Sequence, residues 1–344
     1  MNMSNKARNI KGTLLLGNDR PSIIMAASIL QNGGLVAFPT ETVYGLGASA
    51  LDDRALEKVF IAKGRPADNP LIVHIASVRE LETVAINIPN QAYILAESFW
   101  PGPLSLVLER APDVSPMVSA GLKTVAVRMP DRPEALSLIR EAGLPVAAPS
   151  ANISGSPSPT TYRHVIDDLA GKIDAVIMSA PCAIGVESTV LDLTGSSPVI
   201  LRPGGLSKEK LELALGLQVA LSVKSHASPA PSSPGMKYRH YKPCAPLLLV
   251  TGSPSGRKKL LRELAAYYGK KGKKVAFLNF DLNKYSDQAG DVDAIAAKLY
   301  SSLRCFDSRG YDLILAEETD LTGLGLAVMN RLTRAATRVV KVLD

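Results

Sequence analysis

Apolar positions follow two different periods along the chain, and the switch between them predicts alternating strands and helices. Ile23, Ile24, Ala27 and Leu30 recur at helical spacing, in a helix that is predicted to end near residues 32–34. Short apolar runs bounded by Gly, Pro or polar residues are typical of buried strands. Strands are predicted over residues 12–16, 35–38, 71–75, 104–108, 124–129, 144–148, 174–178 and 199–201, with another beginning at 187.

Helical patterns fill the intervals between these strands. Helices are predicted over residues 53–62, 78–84, 91–99, 132–142, 162–169 and 208–215. Thr160 and Ser207 are the predicted N-caps of the last two, because their hydroxyls can accept from the first free amides.

A simpler alternation follows Pro246. Strands over 247–250, 275–280 and 313–316 alternate with helices over 257–268, 292–306 and 326–343. Three such βα units favour a small parallel, Rossmann-like sheet. Gly323 and Gly325 precede the last helix, but the full GxGxxG pattern is missing, so no nicotinamide or flavin cofactor is expected.

Between the two patterns lies a segment rich in Ser, Pro and Ala, which is typical of an exposed linker. We therefore predict three parts: residues 1–215, a linker over 216–245, and residues 246–344. A length of 344 residues and a hydrophobic content of 46% suit two domains with substantial cores.

Composition narrows the class of protein. Three widely separated cysteines, Cys182, Cys244 and Cys305, support neither a disulfide framework nor a zinc site. The sequence has no apolar run of membrane-spanning length and no signal pattern, so a cytoplasmic protein is expected. A net charge of +7 suggests polyanionic partners, whereas an aromatic content of 5% argues against a stacking platform for single-stranded nucleic acid.

Polar and cationic residues concentrate at strand ends and turns between residues 33 and 74. A turn, 40–42, follows one predicted strand; Lys63 and Arg65 flank a glycine at a helix end; and His74 lies in the next strand. Such positions often bind ligands in α/β proteins. The alternative is structural: two cations can complement a helix dipole, and a lone histidine is more often part of the packing.

Two further features extend this candidate site. Arg128 shares one strand face with Thr124 and Ala126, and an arginine among apolar neighbours needs an anionic partner. That partner is either an internal carboxylate or a ligand. Residues 149–155, small and hydroxyl-bearing, follow a predicted strand and can approach phosphates, although no P-loop is present.

Familiar catalytic motifs are missing: the sequence contains no GxSxG, HExxH or Walker A pattern, and only four histidines. The remaining inventory of cations, hydroxyls and amides is suited to positioning anions and stabilising charge in phosphoryl chemistry.

Six segments resemble one known family in order along nearly the whole chain. PTETVYGLGASA, KGRPADNPL, PSANISG, ESTV, SPGMKYRHYKP and GLGLAVMNRL are similar to motifs of the YrdC/Sua5 family of L-threonylcarbamoyladenylate synthases, in its two-domain form. The resemblance implies a twisted open mixed sheet with helices around a basic cavity, and a smaller Rossmann-like domain. It implies formation of threonylcarbamoyl-AMP and pyrophosphate from L-threonine, bicarbonate and ATP with Mg²⁺, without zinc.

The family's site residues transfer to matching positions here. Lys63 and Arg65 would hold phosphates and the carbamate, and Asn69 would face the nucleotide. Around threonine the resemblance places Thr42, His74, Arg128, Ala148 and Ser188. Around ATP it places Thr124, Ser150, Asn152, Ser158 and Arg202, with Tyr241 and less firmly Tyr238 reaching from the linker.

The resemblance also implies partners. The product would supply the N6-threonylcarbamoyl group at position 37 of tRNA through separate transfer proteins, and a monomer is expected. One alternative is a module that binds double-stranded RNA or tRNA through the same basic cavity. A second is carbamoyl transfer as in hydrogenase maturation proteins, which the absence of zinc-finger and acylphosphatase-like segments disfavours.

Overall fold

The computed structural model describes residues 8–222, 241–278 and 291–342, so predictions for Tyr238 and residues 279–280 lie outside the described residues. By their internal contacts the residues form two compact units. The first comprises residues 1–154 and 158–238, and the second comprises residues 155–157 and 239–344. Within the described parts, no helix combines the length and apolar character needed to cross a membrane.

One large mixed sheet forms the frame of the first unit. Its strands are β1 (Arg8–Ile10), β2 (Thr13–Leu16), β3 (Val36–Phe38), β4 (Gly45–Ser49), β5 (Ile72–His74), β6 (Ala85–Ile86), β7 (Leu104–Arg110), β8 (Thr124–Arg128), β9 (Val146–Ala148), β10 (Ala175–Ile177), β11 (Thr189–Asp192), β12 (Val199–Arg202) and β13 (Ala220–Leu221). Their order is β1-β2-β10-β3-β4-β9-β5-β8-β7-β11-β12-β13, with β6 paired to β7. The predicted open mixed sheet is confirmed.

Helices accompany this sheet on both faces. They are α1 (Arg20–Gln31), α2 (Asp53–Lys63), α3 (Leu81–Val84), α4 (Asn90–Phe99), α5 (Pro133–Ala142), α6 (Tyr162–Leu169) and α7 (Lys208–Leu215). The alternation of side chains along each strand separates two cores. Ala37, Leu46 and Val73 pack in one core with α2, whereas Val36, Phe38 and the apolar faces of α1 and α5 form the other.

Two local predictions in this unit are corrected. Thr161 rather than Thr160 caps α6, because the Thr161 hydroxyl accepts from the His164 amide at 3.3 Å. The predicted helix over 78–84 divides into a 3₁₀ turn, Val78–Glu80, and α3, since Ser77 caps the tighter turn. Strand β4 was not predicted, because its two glycines and small residues lack a strand pattern.

The second unit contains the predicted parallel sheet, in the order β15-β16-β14-β17. Its elements are β14 (Leu247–Thr251), α8 (Pro254–Lys270), β15 (Val275–Leu278), α9 (Val292–Ser308), β16 (Leu313–Glu317), α10 (Gly325–Ala335) and β17 (Arg338–Lys341). The prediction of one helix over 326–343 is wrong. The helix ends at an extended Ala336, and the β-branched residues that follow pair with β14 instead.

Candidate active site

Two of the predicted site residues of the first unit, His74 and Arg128, share one face of its sheet. In β5 and β8, His74 lies opposite Arg128 and Ile72 lies opposite Ala126 in the strand register. Ile72 and Ala126 pack with Val107 of β7 and Val190 of β11 in a small apolar cluster. Because side chains alternate along a strand, His74 and Arg128 project on the same face as this cluster. The sheet thereby provides a rigid floor for the polar groups around it.

Local sequence fixes the two cations at the end of α2. Asp52 caps the helix start by accepting from the Arg54 amide at 2.9 Å. Gly64 ends the helix with a φ of 59°, in the left-handed region that glycine adopts without strain. Lys63 is thus the last helical residue, and the Arg65 amide turns back to donate to the Phe60 carbonyl at 3.0 Å.

Lys63 lies beneath the loop that follows β9. The residue is only 2% exposed, and its ammonium donates to the carbonyls of Ser150 and Asn152, to the second at 2.5 Å. The Lys63 carbonyl in turn accepts from the Ser154 amide at 2.9 Å. Within the loop, the Ser150 hydroxyl donates to Asn152 Oδ1 at 2.5 Å. A buried cation therefore fixes the backbone of the loop that carries two predicted nucleotide contacts.

Arg65 and Asn69 belong to one turn. The Arg65 guanidinium, half-buried, donates from Nη2 to the Asn69 carbonyl at 3.2 Å and the Pro70 carbonyl at 3.0 Å. Asn69 itself is fully buried. The turn leads directly into β5, so the cation and the amide are positioned by the same strand as His74.

Arg128 forms a buried ion pair, and the sequence alone did not identify its partner. Its Nη2 donates to Glu41 Oε1 at 2.6 Å, and its Nε donates to the Gly102 carbonyl at 3.3 Å. The second Glu41 oxygen accepts from the Asp131 amide at 3.1 Å. Of the two alternatives for Arg128, the structure contains the internal carboxylate. Contact of Arg128 with a ligand stays a prediction.

His74 is neutral at physiological pH. It is buried, with Nδ1 3.2 Å from the Ile72 carbonyl and its ring edge-on to Phe38. Burial, together with the positive charge of Arg128, lowers the pKa of His74 to about 3. The imidazole can therefore hydrogen-bond to a ligand but does not add a positive charge to the site.

A second arginine is fixed around Ser188. The Arg202 guanidinium donates to the Ser188 carbonyl at 2.9 Å and to its hydroxyl at 3.1 Å. The same hydroxyl lies 2.8 Å from that of Ser105. Gly204 makes this approach possible, since a Cβ there would lie 2.3 Å from the Ser188 carbonyl carbon. Ser188, which is predicted to contact threonine, and Arg202, which is predicted to contact ATP, are therefore in direct contact.

Three residues in the loop after β9 belong to the second unit, although the residues on both sides belong to the first. Ser158 belongs to the first unit and donates to Glu187 Oε1 at 2.6 Å. Residues 155–157 belong to the second unit, where the Lys242 amide donates to the Gly155 carbonyl at 2.9 Å. There the Arg304 Nη2 also donates to the Pro157 carbonyl at 2.6 Å.

The remaining predicted site residues lie at different distances from the hydrogen-bonded residues described above. Thr42 is fully buried, with its hydroxyl 2.8 Å from that of Thr40, and Ala148 ends β9 beside the loop. Thr124 begins β8, about 13 Å along the strand from Arg128. Tyr241 belongs to the second unit, where its ring stacks on Tyr300 with centroids 5.4 Å apart. The predicted nucleotide contact of Tyr241 stays a prediction.

Sequence reasoning missed the two carboxylates of the site. Glu41 and Glu187 are 6% and 7% exposed and hold Arg128 and Ser158 respectively. The signal for Glu41 was present, because a buried arginine requires an anionic partner and Glu41 lies in the polar turn after β3. For Glu187 no pattern pointed to Ser158, which is 29 residues away in sequence.

The donor set suits a cation that enters with phosphates. In residues 8–222, 241–278 and 291–342, no group of three or more His, Cys, Asp or Glu side chains is arranged to hold a metal by itself. Mg²⁺ is usually bound through substrate phosphates, water and one or two carboxylates. Glu41 and Glu187 are two buried carboxylates of this site.

Both units are similar to known proteins. The Sua5/YciO/YrdC family model, described as telomere recombination, matches residues 28–204, and the model of the threonylcarbamoyl-AMP synthase C-terminal domain matches residues 206–337. Threonylcarbamoyl-AMP synthase of Pyrococcus abyssi is 49% identical over 325 residues, 93% of this chain and 96% of that protein. The Bacillus subtilis enzyme of the same name is 48% identical over 93% of this chain and 94% of its own length.

Solved structures give the same result. The crystal structure of Pyrococcus abyssi Sua5 complexed with L-threonine superposes with a TM-score of 0.90 at 47% identity, covering 96% of this chain and 100% of that one. Escherichia coli YciO covers 55% of this chain and 94% of its own, at 25% identity and a TM-score of 0.51. The resemblance found in the sequence is confirmed, and the chain belongs to the Sua5/YrdC family of threonylcarbamoyl-AMP synthases, in its two-domain form.

Proposed function

We propose that this chain converts L-threonine, bicarbonate and ATP into threonylcarbamoyl-AMP, pyrophosphate and water. The observation that carries the proposal is the set of fixed cations in and beside the large sheet, Lys63, Arg65, Arg128 and Arg202, at positions that match the family motifs. The names of the Pyrococcus and Bacillus relatives and the threonine in the Pyrococcus structure support it.

Both chemical steps bring negative charges together. The threonine amine attacks the bicarbonate carbon and water leaves, which gives a carbamate. A carbamate oxygen then attacks the α-phosphorus of ATP, and pyrophosphate departs with the bonding electron pair. In water these anions repel one another, so a site that holds them against fixed cations supplies both proximity and charge stabilisation.

The residues divide this work by position. Arg128 and the neutral His74 are proposed to hold threonine, with Arg128 on its carboxylate. Lys63 and Arg65 are proposed to act on the carbamate and phosphates, and the loop with Ser150 and Asn152 on the nucleotide. Glu41 and Glu187 would help to hold Mg²⁺, which would supply neutralisation of the triphosphate charge when bound.

Burial favours this small-molecule function over an RNA module that uses the same cavity. Lys63 and Arg128 are 2% and 3% exposed, so their charged groups are not available to the backbone of a double-stranded RNA. The proposal includes action as a cytoplasmic monomer that passes its product to separate transfer proteins acting on tRNA.

Replacement of Arg65 by Ala tests the proposal. We expect loss of threonine-dependent pyrophosphate release from ATP, because Arg65 is proposed to stabilise the transferring phosphoryl charge. The matched control is Arg54→Ala, which removes an exposed arginine from the start of the same helix. Product identity is checked by mass with threonine against serine. Undiminished turnover in Arg65→Ala would remove this residue from the mechanism, and no threonine-dependent adduct in the unmodified protein would refute the proposed function.

A further inference from the structure

The excess positive charge of the chain lies in its second part. Residues 1–238 contain 21 basic and 21 acidic residues, whereas residues 239–344 contain 18 basic and 11 acidic residues. The net charge of +7 is therefore carried by the last 106 residues. Most of the candidate active site is built from the first unit, so its anionic substrates do not account for the whole of this charge.

Part of this charge gathers where α8 ends. Lys270, Lys271, Lys273 and Lys274 are all exposed. Arg309 lies beside them, because the Lys274 ammonium donates to the Arg309 carbonyl at 2.7 Å. We call these five residues, together with Asp312, the lysine turn. A helix C-terminus favours one or two cations, and the number here exceeds that need.

Asp312 stabilises the lysine turn through hydrogen bonds. Its Oδ2 accepts from the Lys274 amide at 2.8 Å and its Oδ1 from the Lys273 ammonium at 3.2 Å, while its own amide donates to the Lys274 carbonyl at 2.8 Å. Hydrogen bonds from Lys274 and Lys273 lower the pKa of Asp312, so it stays ionised. One carboxylate thus accompanies five cations, and its oxygens are already used by the Lys274 amide and the Lys273 ammonium.

Two tyrosines hold lysines of the turn in place. The Lys271 ammonium lies 4.3 Å from the ring centroid of Tyr267 and donates to its hydroxyl at 2.6 Å. The Lys274 ammonium lies 4.6 Å from the ring centroid of Tyr311. These contacts restrict long side chains before any ligand arrives, which reduces the entropy lost on binding. Tyr267 remains 52% exposed and offers a stacking face.

The position of the turn disfavours a small-molecule site. Lys274 and Asp312 immediately precede β15 and β16, so the turn lies at the amino ends of these parallel strands. Small ligands of open α/β sheets bind outside the carboxyl ends. An exposed group of cations at the opposite end of the strands is suited to the repeated charges of a large polyanion.

We propose that the lysine turn is a docking surface for RNA that contains an unpaired loop. The lysines and Arg309 contact successive phosphates, and Tyr267 stacks on one unpaired base. The exposed tyrosine beside the cations favours RNA over an acidic protein, since every base has a face that stacks on an aromatic ring. The surface holds the RNA near the enzyme that makes its modifying group, a link that rests on the proposed function.

The test measures binding of the full chain to a fluorescein-labelled RNA stem–loop by anisotropy between 50 and 300 mM salt. The variant is K270Q/K271Q/K273Q/K274Q. The matched control is K11Q/K123Q/K172Q/K210Q, which removes the same charge from exposed first-unit lysines. We expect the variant to lose about tenfold or more in affinity and its log–log salt slope to fall by about three, since each single-strand phosphate contact contributes about 0.7. The control is expected to bind like the unmodified protein.

Three further measurements define the outcome. Tyr267→Ala should weaken binding of the stem–loop by about fivefold or more and binding of a blunt duplex by clearly less, because both lose the restraint on Lys271 but only the loop offers an unpaired base. Threonine-dependent pyrophosphate release should be unchanged in all variants, which separates this proposal from the proposed function. Equal losses in variant and control would show a bulk charge effect and overturn the proposal. Binding to anionic phosphatidylserine vesicles or polyglutamate, without binding to RNA, would also overturn it.

Discussion

Two groups of cations in this protein, one in each unit, are used in opposite ways. In the first unit, Lys63 and Arg128 are buried and held by internal acceptors, two loop carbonyls and the carboxylate of Glu41. In the second, the cations of the lysine turn are exposed. A buried charge is costly unless its partners are placed well, so its position becomes fixed. An exposed charge acts mainly as part of the total charge of its surface, and salt screens its interactions.

The sharpest way to break this comparison is to remove one partner of the buried pair. Glu41→Ala leaves the Arg128 guanidinium buried without its carboxylate, and we expect the free energy of unfolding to fall by about 3–5 kcal/mol. Urea unfolding followed by circular dichroism measures the change. The control is Lys273→Gln, which breaks the exposed pair with Asp312 and is expected to change stability little. Similar effects of the two substitutions would contradict the distinction drawn between the units.

A smaller effect is expected at Lys63. Lys63→Met keeps the aliphatic stem but removes the ammonium that holds the carbonyls of Ser150 and Asn152. Turnover should fall by about 10²–10³-fold, the loss typical of one charge-stabilising donor. Steady-state pyrophosphate release gives kcat and the KM for ATP. Lys58→Met, on the same helix, is the matched control and should retain activity. If the Lys63 variant kept full turnover, its ammonium would have only a structural role.

The effect expected at His74 is a pH dependence, which is the smallest of the three per pH unit. Its pKa is about 3 in the folded protein and near 6.5 when unfolded, so below pH 6.5 the unfolded chain binds a proton that the folded chain does not. Stability from this group is complete above pH 6.5 and declines as pH falls toward 3, by up to about 1.4 kcal/mol per pH unit. Urea unfolding at several pH values, compared between unmodified protein and His74→Gln, isolates this slope. Parallel pH profiles would mean that His74 is charged in the folded state.

Much of the architecture was predictable because local patterns and global packing agree. The ends of α2, for example, follow from Asp52 and Gly64, and the parallel sheet of the second unit follows from three βα units. The failures have physical causes. Helix α10 stops at Ala335 because pairing of residues 338–341 with β14 outweighs their local continuity with the helix.

The residues of the site were predicted, but the contacts between them were not. Resemblance to the family supplied Lys63, Arg128 and Ser188, yet no spacing rule connects residue 41 to residue 128 or residue 158 to residue 187. Those pairs are created by the order of strands in the large sheet, which brings distant segments together. The carboxylates were therefore missed even though a buried arginine required one.

The loop after β9 has a consequence for how the molecule can be dissected. Its flanks carry Ser150 and Ser158 in the first unit, but its centre is anchored by Lys242 and Arg304 of the second. A truncation after residue 238 deletes both anchors together with the C-terminal domain. Lost activity in such a fragment would then reflect the loss of both anchors of this loop as readily as the loss of the C-terminal domain itself.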